Sequence, residues 1–140
     1  MTPEVLGRAL GEAPDPELAR IAVSRMEERP GARELLERPD IIPGAARLLG
    51  FSTAASDFFN AHPEELEALA DLRPRSLEEL LAEAVSTAEA LGPRAGVRRF
   101  RRRASYRVAA RDLAGASVQD VTMELSRIAE ACVRLTLGAI

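Results

Sequence analysis

Toward the end of the chain, Val118, Val121, Leu125, Ile128, Cys132 and Leu135 follow one another at spacings of three, four, three, four and three. Residues three and four apart share a helix face, so this recurrence reads as the seam of a long helix packed lengthwise on others at a shallow angle. Such a helix needs partner helices, and the rest of the chain supplies them. Leu77, Leu80, Leu81, Ala84, Ala88 and Leu91 form a similar stripe. Strand signals are missing: no run alternates β-branched or aromatic residues with polar ones, and no Asn-Gly or Asp-Gly turn occurs. The expected fold class is all-α, a multi-helix bundle of short N-terminal helices and three longer C-terminal helices.

Helix starts are marked by a capping residue followed by proline, whose missing N-H costs nothing at the first helical position. Thr2-Pro3, Asp15-Pro16 and His62-Pro63 fit this pattern, and Ser76 with Glu79 and Ser117 with Asp120 read as capping boxes. The spacing predicts helices over 3–10, 16–28, a piece near 31–38, then 43–49, 53–60, 63–71, 77–91, 95–114 and 118–137. Gly50 is expected to stop one of these in the left-handed conformation before the Ser52 cap.

With 140 residues the chain is about one domain's worth, and 1–140 is expected to form a single all-helical domain. One Cys and one His exclude an internal disulfide, a zinc finger and any His/Cys metal centre, so no metal site is expected. No run approaches the ~18 apolar residues of a membrane helix, and no signal peptide is recognisable, so no membrane partner and a cytoplasmic location are expected.

Charge is uneven. All 19 basic residues are Arg, and eight of them lie in residues 94–111 without a single acid. That segment carries +8, against −9 for residues 1–93 and −2 for 112–140, so the net −3 hides one strongly basic helix in an acidic protein. Val97, Phe100, Ala104 and Val108 give this helix an apolar face, while Arg98, Arg99, Arg101, Arg102 and Arg103 spread over the rest. No acid at i+4 relieves them before Asp112, so their partners are neighbouring helices, another domain or phosphates. Arg98, Arg99, Arg101, Arg102, Arg103, Arg107 and Arg111 are the candidate interface or anion-facing residues.

Catalytic signatures are lacking. The single His62 stands where a helix cap is expected, Cys132 lies in the apolar seam, and the pairs Glu27-Glu28, Glu64-Glu65 and Glu78-Glu79 diverge by about 100° around a helix, as solvated faces do. Gly-x-Gly-x-x-Gly, Walker and His-Glu-x-x-His sequences are absent. No catalytic, cofactor-binding or metal-binding residue is therefore assigned.

Two runs carry a family resemblance. Val97-Arg-Arg-Phe100-Arg-Arg-Arg103 continues into Ala-Ser-Tyr106-Arg-Val-Ala-Ala-Arg111-Asp112-Leu113, and Val121-Thr122-Met-Glu124-Leu125-Ser126 into Arg-Ile-Ala129-Glu-Ala131-Cys. With Leu48-Leu49-Gly50-Phe-Ser52, His62-Pro63-Glu64 and Asp15-Pro16-Glu17-Leu18-Ala19, these resemble the glutamine synthetase adenylyltransferase/deadenylyltransferase family over roughly residues 15–137. The resemblance implies a bacterial, cytoplasmic enzyme of two related halves, each a helical segment followed by a polymerase-β-type nucleotidyltransferase domain. It also implies a regulatory region that senses PII protein and glutamine. One half attaches AMP to a tyrosine of glutamine synthetase, and the other removes it by phosphorolysis.

The family's catalytic domain is recognised by Gly-Ser at a helix start and, about ten residues on, Asp-x-Asp, whose carboxylates hold the Mg²⁺ ions that bridge ATP phosphates. Here no Asp-x-Asp occurs, and Gly115-Ala-Ser117 leads only to the isolated Asp120. The expectation is a non-catalytic helical leader, inactive alone and without a cofactor of its own, that precedes a nucleotidyltransferase domain not contained in these residues. Mg²⁺ and ATP would belong to that domain, and glutamine synthetase and PII are partners at family level. A start at Met1 near the Asp15-Pro16 helix favours the N-terminal, deadenylylating half. A second reading is a non-enzymatic interaction module that binds an acidic protein or a nucleic acid through 94–111. Nucleic acid is the lesser expectation, since the chain is acidic overall and lacks interleaved aromatic residues.

Overall fold

Capping chemistry sets where the helices begin. The computed structural model describes residues 3–138, and the Thr2 cap falls outside them. Asp15 accepts a hydrogen bond from the Leu18 N-H at the start of α2 (Pro16–Met26), and Ser52 one from Ala55 at the start of α5 (Thr53–Ala61). Ser76 and Glu79 close a full capping box at α6 (Leu77–Leu91). At α8 (Val118–Leu137), Ser117 accepts from the Asp120 N-H. The remaining helices are α1 (Pro3–Gly11), α3 (Ala32–Leu36), α4 (Ile42–Leu49) and α7 (Pro93–Leu113). Among the described residues there is no strand, and the chain is all-α.

Two expectations at element ends are corrected. The segment after His62-Pro63 is a 3-10 helix, Pro63–Ala70, and His62 makes no side-chain cap. The His62 ring instead meets Phe58 edge-on, with centroids 5.4 Å apart, and its carbonyl accepts from the Glu65 N-H. Gly50 ends α4 at φ −84°, outside the left-handed region. Its glycine is required by closeness: an added Cβ would lie 2.7 Å from the Ala13 Cβ and 2.9 Å from the Asp15 carbonyl oxygen.

The chain divides into two compact units, Met1–Leu72 and Arg73–Ile140. In the first, α4 is buried almost all round, through Ile42, Ala45, Ala46, Leu48 and Leu49, and α1, α2, α5 and the 3-10 helix pack against it. A helix apolar on every side belongs at a centre. Met26, Leu36, Phe59, Leu66 and Leu69 are fully buried in the same unit.

The second unit is a bundle of α6, α7 and α8, each packed on the other two. Its core is Leu80, Ala84, Phe100, Ala104, Val108, Ile128 and Ala131, with Val121, Cys132 and Leu135 against it. The seam read from α8 is thus split. Val121, Ile128, Cys132 and Leu135 face the bundle, but Val118 and Leu125 are 79% and 43% exposed. A single residue, Gly92 at φ 90°, joins α6 to α7. One turn later a Cβ on Gly96 would sit 2.4 Å from the Ala88 Cα, so glycine lets the two backbones touch.

Candidate functional site

The second unit's distinguishing feature is the row of arginines on α7. Arginine is a good helix former, but like charges three and four apart repel, so the row needs counter-charges from outside the helix. They come from α6 and α8. Arg103 Nη1 donates to Glu83 Oε2 at 3.2 Å and to the Thr87 hydroxyl at 3.0 Å, and that hydroxyl donates to the Glu83 carbonyl at 2.8 Å. Arg107 Nη2 donates to Glu83 Oε1 at 2.9 Å. One turn further, Arg111 Nη1 donates to Glu124 Oε1 at 2.9 Å, and the Arg75 backbone N-H donates to the same oxygen at 3.1 Å. Arg127 Nη1 donates to the Arg75 carbonyl.

These are covered interactions. The Arg107 side chain is 4% exposed and that of Glu124 is 1% exposed. Spacing of four places Arg103, Arg107 and Arg111 on one line of α7, edging the face formed by Phe100, Ala104 and Val108. Arg98, Arg101 and Arg102 are exposed, and Arg99 is half-buried. The candidate arginines therefore divide into an inward ladder and an outward group.

Glu83, Thr87 and Glu124 carry the inner half of this arrangement, and the sequence reading passed over them. A signal was present for Glu124: it shares the face of Val121, Ile128 and Ala131, where an acid is costly unless paired. Among the acidic pairs, Glu64 is exposed, but Glu65 is buried, which corrects its reading as part of a solvated face. Glu79 is exposed. The Ser76 backbone N-H and the Arg73 guanidinium, 3.0 Å away, hold its carboxyl below the ordinary range. Cys132 is half-buried, and burial pushes its thiol up while Arg101 pulls it the other way.

A Mg²⁺-nucleotide site needs carboxylates free to converge on the ion. The donors here do not fit one. Glu83 and Glu124 already accept from arginines, and no group of three or more His, Cys, Asp or Glu that could hold a metal occurs among the described residues. No described helix is long and apolar enough to cross a membrane.

The family model described as glutamate-ammonia ligase adenylyltransferase matches residues 44–140, well over half of the chain. The chain belongs to the glutamate-ammonia ligase adenylyltransferase family. Glutamate-ammonia ligase is glutamine synthetase, so membership ties the chain to control of that enzyme by AMP transfer. The family match takes in the arginine ladder and all of α6, α7 and α8, and it begins at Gly44, downstream of the Asp15-Pro16-Glu17 stretch. No curated protein and no solved structure matches the chain.

Proposed function

We propose that these helices are the non-catalytic, scaffolding portion of an adenylyltransferase that moves AMP to or from glutamine synthetase in the bacterial cytoplasm, bracing a nucleotidyltransferase domain. The observation that carries this reading is the use made of the acids: both carboxylates at the α7 ladder are held by arginines, so they stabilise a support and do not serve chemistry. Arg102, exposed on α7, then faces the domain being braced, and ATP and Mg²⁺ bind there. Glutamine synthetase is the substrate protein, with PII as a regulator.

The test is to incubate the purified 140-residue chain with glutamine synthetase, ATP and Mg²⁺, and separately with AMP-modified glutamine synthetase, inorganic phosphate and Mg²⁺, and follow labelled AMP. No transfer is expected in either direction. Turnover that Mg²⁺ chelation stops would overturn the scaffold reading.

A further inference from the structure

α8 carries two apolar faces. One holds Ile128, Ala131 and Leu135 against the bundle. The other runs through Val118, Leu125, Ala129 and Val133, spaced by seven, four and four, and every one of these is exposed. Thr122 and Thr136 lie in the same stripe, whereas Asp120, Arg127, Glu130 and Arg134 lie elsewhere around the helix. Scattered exposed apolar residues are ordinary, but a stripe running the length of a helix is a mark of an interaction face.

At its C-terminal end the stripe opens into a crevice. A cavity of about 350 Å³ is lined by Pro93, Arg94, Val97, Arg98, Leu135 and Thr136. Thr136 also lines an adjoining hollow with Val133 and Leu137. The floor is apolar, and the rim on the α7 side is basic. Arg94 and Arg98 line the cavity itself, and Arg101, the next exposed arginine, acts electrostatically on Cys132 beside the stripe.

We infer that this α7–α8 groove docks an amphipathic helix of a partner protein, with apolar anchors at every third or fourth residue and carboxylates along the edge that faces Arg94, Arg98 and Arg101. An apolar floor with anchors at that spacing is how a helix is read in a groove, and arginine forks pair with carboxylates along its rim. A nucleic acid would leave the apolar stripe uncovered. A second copy of this chain docked through the same face would bring the same arginine row to the interface, so the charges select a different partner there. The inference stands on the second unit alone and is independent of the scaffold reading.

The full chain, isotopically labelled, is titrated in about 50 mM salt with a helical peptide of about four turns bearing leucine anchors and a glutamate edge. A twin peptide has lysine for glutamate. Expected are amide shifts at Val97, Val133 and Thr136 and at least about tenfold tighter binding of the acidic peptide. Val133→Asp abolishes binding without unfolding the chain, since Val133 is 55% exposed. Arg94→Glu with Arg98→Glu reverses the preference. Equal binding of the twins, shifts elsewhere, or no shifts at about 1 mM peptide overturns the inference. So does a dimer in sedimentation that Val133→Asp dissolves, which would assign the face to a second copy.

Discussion

In the first unit arginines meet carboxylates in water, and in the second those of the α7 ladder meet them under cover, although Arg73–Glu79 and Arg134–Glu130 stay exposed. Residues 1–72 hold seven Arg against fourteen acids, and residues 73–140 hold twelve against eight, so the units carry −7 and +4. The acidic unit is built on an apolar centre, with pairs such as Arg25–Asp57 and Arg38–Glu67 outside it. The basic unit has a core in which three of seven members are alanine, and its pairs Arg107–Glu83 and Arg111–Glu124 complete it. Exposed pairs contribute little, because water and salt screen them. A covered pair is different: it adds little over an apolar substitute, but removal of one partner strands a charge.

The sharpest way to break this contrast is Glu124→Ala. It leaves Arg111 and the Arg75 N-H without their shared acceptor and should cost about 3–5 kcal/mol. The only tyrosine, Tyr106, lies on α7, so tyrosine fluorescence during urea unfolding of the whole chain reads the second unit. An unchanged midpoint would show that the ladder does not hold the bundle.

Next in size are the two close glycines. Gly96→Ala drives a methyl into the Ala88 backbone, and Gly50→Ala drives one against Ala13 and Asp15. Each should cost about 1–3 kcal/mol, the usual range for overpacking. Gly96→Ala should lower the tyrosine-detected midpoint, whereas Gly50→Ala should lower the midpoint seen by circular dichroism and shift tyrosine less.

The smallest effects belong to the first unit's surface. Asp57→Ala should change stability by at most about 1 kcal/mol, and less still in high salt. Acid gives a graded version. Hydrogen bonding from Arg38 holds Asp40 low, and hydrogen bonding from Arg20 holds Glu17 low. A carboxyl depressed in the folded chain stabilises it above the unfolded value, and that contribution goes as pH falls through the lower folded value. Stability should therefore be flat from neutrality to about pH 5 and decline below about pH 4. A loss between pH 5 and 7 would point to some other group.

The helices were legible in the sequence because each rests on local signals: a cap, a proline and a three-four spacing. The predicted 77–91 and 118–137 match α6 and α8, and 95–114 starts two residues after Pro93 and ends one after Leu113 of α7. The basic helix and its apolar face were equally legible. Its division into inward and outward arginines was not, because that depends on Glu83 and Glu124 arriving from other helices, and spacing within α7 does not encode where they sit. The split of the α8 stripe was hidden for the same reason: six apolar residues at one spacing do not say how many of them a neighbour will cover.

Gly96 has one more effect, on which rung of α7 meets which rung of α6. Arg99, Arg103, Arg107 and Arg111 repeat every four residues, so a slide of α7 by one turn, about 5.4 Å, hands Glu83 an arginine again in either direction. The Glu83 pairs alone leave the register degenerate. A slide one way would leave Glu124 facing Gly115 and bring Phe100 to the place beside Ala88 where not even a methyl fits. A slide the other way would keep both pairs but draw up Gly92, the lone residue of the turn. The two glycines, one by closeness and one by the shortness of the turn, thus hold an alignment that the arginine repeat by itself would not fix.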